Sequence, residues 1–360
     1  MSVLTRVRKV LLISATTILL GLTACAKNNP SEYVMTTPVM HDTRPWCIGR
    51  FALDLPSDIA VYNQQFKYMD YTIETTRNIS RNTFLQQVDA REKELKTTLR
   101  MDMTRATGTT NNVWLKEAIR PSDDTRLFIF RKADTTSIDI PYKAEGYAWS
   151  SDTLFTLKTL IGARYDDSNL QVANQILRHI GPRQDWEIPV DGAFCFNGGA
   201  ISGKPFRGFD ATLSVGLLPG TPSTFVVKLR ESVDVDQKAS LLDGLPAFEI
   251  QLKSLLGRYK ILRKGKRQFA GMEAEELLIA ISEDGVQKYH FYLLAPGVEY
   301  DLSKPHTAIQ LLFGAAPDSI TSAAEATSPV NEAQAIQAWD AVLNSFHYRG
   351  PRPGESEATR

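Results

Sequence analysis

Apolar side chains recur between residues 45 and 56, bounded by charged positions and a proline. Ile48, Phe51, Leu53 and Leu55 are apolar, Arg50 and Asp54 are charged, and Pro56 closes the run. That pattern predicts a short strand, stopped where proline offers no N–H to a ladder. Residues 68–76 are rich in β-branched and aromatic side chains and predict another strand. The period then changes. Ser80 stands as an N-cap before a helical repeat with Leu85, Val88, Leu95 and Leu99 on one face and Arg91, Glu92, Lys93 and Glu94 between them. Four strand-like runs follow, over 113–118, 127–132, 138–149 and 154–161. Leu170, Ala173, Leu177 and Ile180 lie at helical spacing, and Gly181-Pro182 ends that helix.

After residues 183–191, a predicted linker, the order of patterns restarts. Strands are expected over 209–217 and 224–229, a helix over 246–256, and strands over 272–281, 288–294 and 307–313. A closing helix over 334–346 carries Ile336, Trp339, Val342, Leu343 and Phe346. Particular residues repeat as well. Cys47 opens the first series and Cys195 the second. Leu160-Ile161-Gly162-Ala163 matches Leu312-Phe313-Gly314-Ala315, and His179 to Arg183 matches His347 to Arg352. The expected fold class is therefore α+β, as two tandem related modules over 45–182 and 192–350. Each would hold an antiparallel sheet with packed helices and fold independently, and a polar tail would follow over 351–360. Two unrelated α+β domains would also produce such an order, because these element orders are common.

Upstream of both series, residues 1–9 carry Arg6, Arg8 and Lys9 with no acid, and 10–22 are apolar. This layout predicts a signal peptide over 1–24, too short to span a bilayer comfortably. Leu22-Thr23-Ala24-Cys25 resembles the lipobox of bacterial lipoproteins, so Cys25 is the expected lipidation site; simple signal cleavage beside an unmodified cysteine is the alternative. Ala26 after the cysteine favours the outer membrane over the inner. Residues 25–44 would form a flexible tether.

Composition narrows the function. Apolar residues at 43% and charged residues at 23% mark a globular chain. Lys+Arg and Asp+Glu are both 41, a balance that argues against a nucleic-acid-binding protein. No G-x-S-x-G elbow occurs. Residues 198–204 have the spacing of a phosphate loop, but Pro205 replaces its hydroxyl residue, so a glycine-rich turn is expected. His41, His179, His290, His306 and His347 are scattered, and the pairs Asp123-Asp124, Asp166-Asp167 and Glu275-Glu276 read as solvated acids. No cofactor, metal or catalytic residue is expected, and the chain reads as a non-enzyme. The basic run over 258–267 alternates with Tyr259, Ile261 and Leu262. It suggests an edge strand guarded by charge, with an anionic partner as the other reading. Cys47 and Cys195 form an even pair in an oxidising compartment, and either a disulfide between them or two separate buried thiols fits.

The stretch C-I-G-R-F-A-L-D-L-P over 47–56, the stretch F-C-F-N-G-G-A-I-S-G over 194–203, the lipobox and the two-module layout together resemble a known family. These are the Tli-type immunity proteins, lipoproteins that protect bacteria against lipase or phospholipase effectors of type VI secretion systems. The resemblance implies a periplasm-facing protein with two α+β domains set like a claw. It would bind a toxic lipase and block access to its active site. It transfers no functional residues, because the shared motifs mark strands. An envelope lipoprotein with a structural or assembly role, and no toxin partner, is the alternative.

Overall fold

The computed structural model describes residues 39–101, 111–132, 142–162, 167–190, 192–203, 205–254, 258–316 and 321–350. The signal peptide, Cys25, most of the tether, residues 138–141 of an expected strand, Asp166 and the polar tail lie outside the described residues.

The opening motif is a hairpin rather than one strand. β1 (Thr43–Ile48) pairs with β2 (Phe51–Pro56), and Gly49 makes the turn at φ +54°, where a glycine avoids the Cβ penalty. The tether also ends earlier than expected, since Val39 is already buried. The strand expected over 68–76 is likewise the second half of a hairpin. β3 (Ala60–Tyr68) turns through Met69 and Asp70, both at positive φ, into β4 (Tyr71–Arg77). Helix α1 (Arg81–Thr97) begins at Ser80, whose hydroxyl accepts from the Thr83 N–H, as the sequence predicts. Phe84, Val88 and Leu95 are its buried apolar face, while Leu99 is exposed in β5 (Leu99–Met101), paired with β6 (Asn111–Val113).

β7 (Leu115–Ser122), β8 (Thr125–Arg131), β9 (Tyr142–Ser150) and β10 (Thr153–Ile161) form an antiparallel meander, followed by α2 (Asp167–His179). Gly181 and Pro182 do more than end that helix; with Ile180 they form β11 (Ile180–Pro182). The second series runs β12 (Phe194–Phe196), β13 (Gly199–Ile201), β14 (Phe209–Gly216) and β15 (Ser223–Arg230). A 3-10 turn (Asp234–Lys238) and α3 (Leu245–Ser254) come next. Then come β16 (Arg258–Phe269), β17 (Met272–Glu283), β18 (Val286–Ala295), β19 (His306–Phe313), one helical turn α4 (Ala323–Ala326), α5 (Glu332–Ser345) and β20 (His347–Tyr348).

The two series do not make two sheets. They share one sheet of 12 strands, joined where β3 pairs antiparallel with β14. Outward from that seam the order is β3-β4-β10-β9-β8-β7 on one side and β14-β15-β19-β18-β17-β16 on the other, the same order in chain terms. Register agrees: Ile161 stands opposite Tyr142, and Phe313 opposite Tyr289.

Two small sheets lie against this one, and each draws on both series. β20, the last strand of the chain, pairs with β2 of the first hairpin, while β11 pairs with β13 of the second. The closing strands are thus exchanged. Neither half contains its own complete small sheet. Residues 183–190, within the predicted linker, form a packed strap. Arg183 is buried, and Trp186 meets Trp46 edge-on at 4.8 Å. At the centre of the junction Cys47 and Cys195 are joined by a disulfide, with Cα atoms 5.8 Å apart. Beside it, Gly49 and Cys195 exchange backbone hydrogen bonds of 2.9 and 2.8 Å.

Candidate partner interface

Alternation along each strand divides the sheet into two faces. On the inner face Ile129, Leu157 and Leu278 join α2, α5 and the small sheets in one core that spans both halves. On the outer face α1 covers Phe128, Phe130 and Leu154, and Leu245 of α3 covers Leu277 and Ile279. Among the described residues, no helix lies over the outer face of the central strands between these two. Its floor is rich in hydroxyls and amides on β3, β4, β14 and β15, where Gln65, Thr72 and Thr76 are exposed and Thr212 and Ser214 half-buried. Toward α3 it becomes apolar. One cross-strand row runs Tyr292, Gln310, Val226, Ser214, and the next runs His290, Leu312, Thr224.

Burial pushes the Tyr292 phenol up to about 12. Burial, with the ammonium of Lys288 as a lesser cause, brings His290 down to about 4. Both side chains are therefore neutral at pH 7, so this strip of the floor carries no charge. An uncharged strip beside a hydroxyl-rich floor that also carries Lys67, Glu74, Lys158 and Lys228 suits a protein surface better than a small molecule.

Three arginines gather at the junction on the opposite face. Arg50 donates to the Gly192 carbonyl and to the Tyr68 hydroxyl. Arg183 donates to the carbonyls of Gln184, Asp185, Glu187 and Phe196. Arg349 reaches the Pro189 and Ala193 carbonyls at 2.8 and 2.7 Å, and the Cys195 sulfur at 3.2 Å. Burial first, then the neighbouring guanidiniums of Arg183 and Arg50, lower Arg349 to about 10. Arg183 and Arg349 hold equivalent places, since their N–H groups donate to Gly198 and Arg50, each the residue before β13 or β2. The repeat at the closing strands is therefore offset by two residues from the match of His179 with His347. The helix ends carry the better signal, with Leu177 and Ile180 answering Leu343 and Phe346.

The basic run over 258–267 is the edge strand β16, as one of its two readings has it. Most of its charge is already paired. Arg263 and Arg267 lie 2.7 and 3.0 Å from Glu276, both reach Asp340, and Lys260 and Lys266 meet Glu332 and Glu273. Little cationic surface is left there for an anionic partner. Glu276, expected to be a solvated acid, is instead buried and also accepts from the Trp339 indole N–H. Glu275 accepts from Ser240 and from the Leu242 N–H, and Asp124 pairs with Arg81. Among the described residues, no group of three His, Cys, Asp or Glu side chains is placed to hold a metal ion, and no helix is long and apolar enough to cross a membrane.

Comparison with known proteins follows the same division of the chain. No curated protein matches it. Among solved structures, the chain is similar to the apo immunity protein TplEi of the T6SS of Pseudomonas aeruginosa. The TM-score is 0.71 and the identity 20%, over 86% of this chain and 98% of the other. It is also similar to a chain in the crystal structure of the Tle4–Tli4 complex, with TM-score 0.72 and 20% identity, over 86% and 98% of the two chains. A third likeness is to TplEi complexed with "L" peptide, with TM-score 0.69 and 20% identity, over 87% and 100%. At that identity these likenesses speak for the fold. Residues 44–177 match the N-terminal domain of Tle cognate immunity protein 4, and residues 187–351 match its C-terminal domain. With both domains matched in order, the chain belongs to the Tle cognate immunity protein 4 family.

Proposed function

We propose that this chain binds a cognate lipase or phospholipase effector of a type VI secretion system and inhibits it by covering its substrate entrance. The observation that carries this reading is the match of both halves, over 44–177 and 187–351, to an immunity protein named for its Tle partner. A similar fold is found in a Tle4–Tli4 complex and in TplEi with a bound peptide, which supports a protein partner. The protein acts by binding and is not an enzyme. The floor between α1 and α3 is the contact surface, because it is wide, has an uncharged strip toward α3, and is crossed by no helix among the described residues. An interface of about 1,600 Å² built on a few buried anchors supports tight inhibition.

The two halves are copies of one module, over 45–182 and 192–350, and each contributes to the floor. Their common strand order and the paired places of Arg183 and Arg349 support that reading. The protein works in the periplasm, held to the outer membrane through lipid on Cys25 and the tether over 25–44. Cys25→Ser should release it from the membrane fraction, and a mutant that still sediments with outer membrane would overturn the anchor.

The test of inhibition uses a Tle-type lipase effector from the same genome. Equimolar full chain should abolish its hydrolysis of phospholipid vesicles. Val226→Glu and Tyr292→Arg, each placing charge on the floor, should weaken binding by about a hundredfold or more if these residues are central anchors. Binding without loss of hydrolysis would sink occlusion; no binding by the wild type would sink the immunity reading.

A further inference from the structure

The junction behind the sheet holds more than a partner-binding floor requires. It combines a disulfide, a reciprocal exchange of very short strands, and three guanidiniums, those of Arg50 and Arg183 buried and that of Arg349 half-buried. β20 has two residues, and β11, β12 and β13 have three each. Strands so short contribute few ladder bonds and belong to the low-stability end of a structure. The hydrogen bonds of Arg50, Arg183 and Arg349 go to backbone carbonyls, the Tyr68 hydroxyl and the Cys195 sulfur. The guanidiniums of Arg183 and Arg50 repel that of Arg349 across a poorly solvated space; among the described residues no carboxylate bonds the three, although Asp185 and Glu187 offset part of the Arg183 charge. Opposing this are the stacking of Phe51 on Phe346 at 5.2 Å, of Tyr68 against Phe194 at 4.7 Å, and the bond between Cys47 and Cys195.

That bond links residues 148 apart in sequence, one in the opening hairpin of each half. It is therefore the covalent tie that holds both exchanged strands in place at once. We infer that the Cys47–Cys195 bond is a redox latch on the strand exchange. Closed, it holds β20 on β2 and β11 on β13 against the repulsion of the arginines. Open, it lets the small sheets separate while the large sheet and its helices stay folded. The β3–β14 seam is then left as the main register between the halves. The consequence for inhibition rests on the effector-binding reading: a chain whose latch is open presents the two parts of its floor in no fixed relation, and its affinity falls. The protein would thus mature only where a thiol oxidant is present.

The chemistry balances with an oxidant of the protein-disulfide class. The two thiols lose two electrons and two protons as the sulfur–sulfur bond forms, and the oxidant leaves as a dithiol. In the reverse direction a phosphine cleaves the bond, becomes a phosphine oxide with oxygen from water, and leaves two thiols. Cys47 and Cys195 are 1% and 0% exposed, so a reductant reaches them only after the junction opens.

Three measurements on the full chain test the latch. The first is amide hydrogen exchange of the oxidised protein, the phosphine-reduced protein and the Cys47→Ala/Cys195→Ala variant. Peptides covering β2, β13 and β20 should exchange about tenfold faster without the bond, while those covering β8 and β15 hold their rates. Equal acceleration everywhere would make the bond a general stabiliser and overturn the latch, and so would no change at the junction. The second needs no variant. The rate of reduction of the oxidised protein is followed across low urea concentrations. Local opening predicts a slope well below that of global unfolding, and equal slopes would overturn the proposal. The third is binding of the lipase by oxidised and reduced chains. Weaker binding on reduction supports the consequence, and equal binding overturns it. The first two use no effector, so their failure is separate from failure of the immunity reading, which oxidised wild type alone decides.

Discussion

At one position the two halves of the sheet solve the same packing problem in opposite ways. Counted from the Tyr142·Ile161 and Tyr289·Phe313 pairs, Leu127 and Glu276 are equivalent, standing opposite Gly146 and Leu293. Leu127 lies in the apolar core under α2. Glu276 lies under α5, clamped by Arg263 and Arg267 and bonded to Trp339. On the outer face the contrast is reversed. There the first half places a bidentate Arg91–Glu145 pair between α1 and β9, both bonds at 2.9 Å. The second half has His290, Tyr292 and Leu294 on the corresponding strand β18. Charge has moved from one face to the other while strand order stayed the same. Backbone topology and side-chain chemistry are separable here: where β9 carries Glu145, β18 carries the neutral Tyr292 at the equivalent position.

The largest effect is expected where that contrast is broken from one side. Glu276→Ala leaves two guanidiniums and an indole N–H without their shared acceptor and should cost about 3–5 kcal/mol in urea unfolding. Asp340 remains beside both arginines, which sets the result toward the lower end. Giving the second half the apolar solution of the first, with Glu276→Leu, Arg263→Met and Arg267→Met together, should recover most of that loss, because apolar groups of similar size replace buried ion pairs at little cost. If the triple variant is no more stable than the single one, the charged network is more than a substitute for Leu127.

The next effect sharpens the outer-face difference through pH. His290 is brought from 6.5 to about 4 by burial and, secondarily, by Lys288. Its folded pKa lies below its unfolded one, so its contribution is complete above pH 6.5 and is lost as pH falls toward 4. The loss reaches about 3 kcal/mol, at 1.36 kcal/mol per unit. Tryptophan fluorescence and amide exchange should show β18 and β19 loosening before β8 and β9 on acidification. His290→Gln should flatten the stability curve between pH 6.5 and 4; an unchanged slope would place the acid sensitivity elsewhere.

These contrasts also show what a sequence discloses. Helix α1 was legible because its cap and its 3.6-residue period are local, and β16 because lysine and arginine alternate with apolar residues. The hairpin at 43–56 was not, since its turn is marked by Gly49 alone inside an otherwise strand-like run. The shared sheet, the exchange of β11 and β20 and the buried state of Glu276 all depend on partners far along the chain, and periodicity carries no record of such pairing. The floor between α1 and α3 was invisible for the same reason. Its residues come from six strands, and each strand taken alone reads as ordinary alternation. Arg183 and Arg349 could have been found by aligning the closing helices on Leu177 and Leu343 rather than on their histidines.

The smallest expected effect compares how helices begin in the two halves. Ser80 caps α1 through its hydroxyl, which accepts from the Thr83 N–H at 3.1 Å and shares a hydrogen bond of 2.9 Å with the Thr83 hydroxyl. Asn331 caps α5 with a reciprocal pair, accepting from the Gln334 N–H at 2.9 Å while the Gln334 side chain accepts from the Asn331 N–H at 3.1 Å. Removing either cap strands a backbone N–H at a helix start, at a cost of about 1 kcal/mol. Both bonds of the Ser80 hydroxyl are exposed, so water replaces them in part. In Asn331→Ala the Gln334 side chain also loses the partner geometry of the box. Ser80→Ala should therefore cost about 0.5–1 kcal/mol and Asn331→Ala about 1–1.5 kcal/mol, both read as shifts in urea midpoint at constant slope. Helix α5 carries Trp339, which is fully buried against Phe291, so fraying its start reaches the shared core. Helix α1 packs on a separate apolar cluster and frays without consequence beyond it. If Ser80→Ala proves the costlier change, the first half depends on its outer helix more than the division of the core implies.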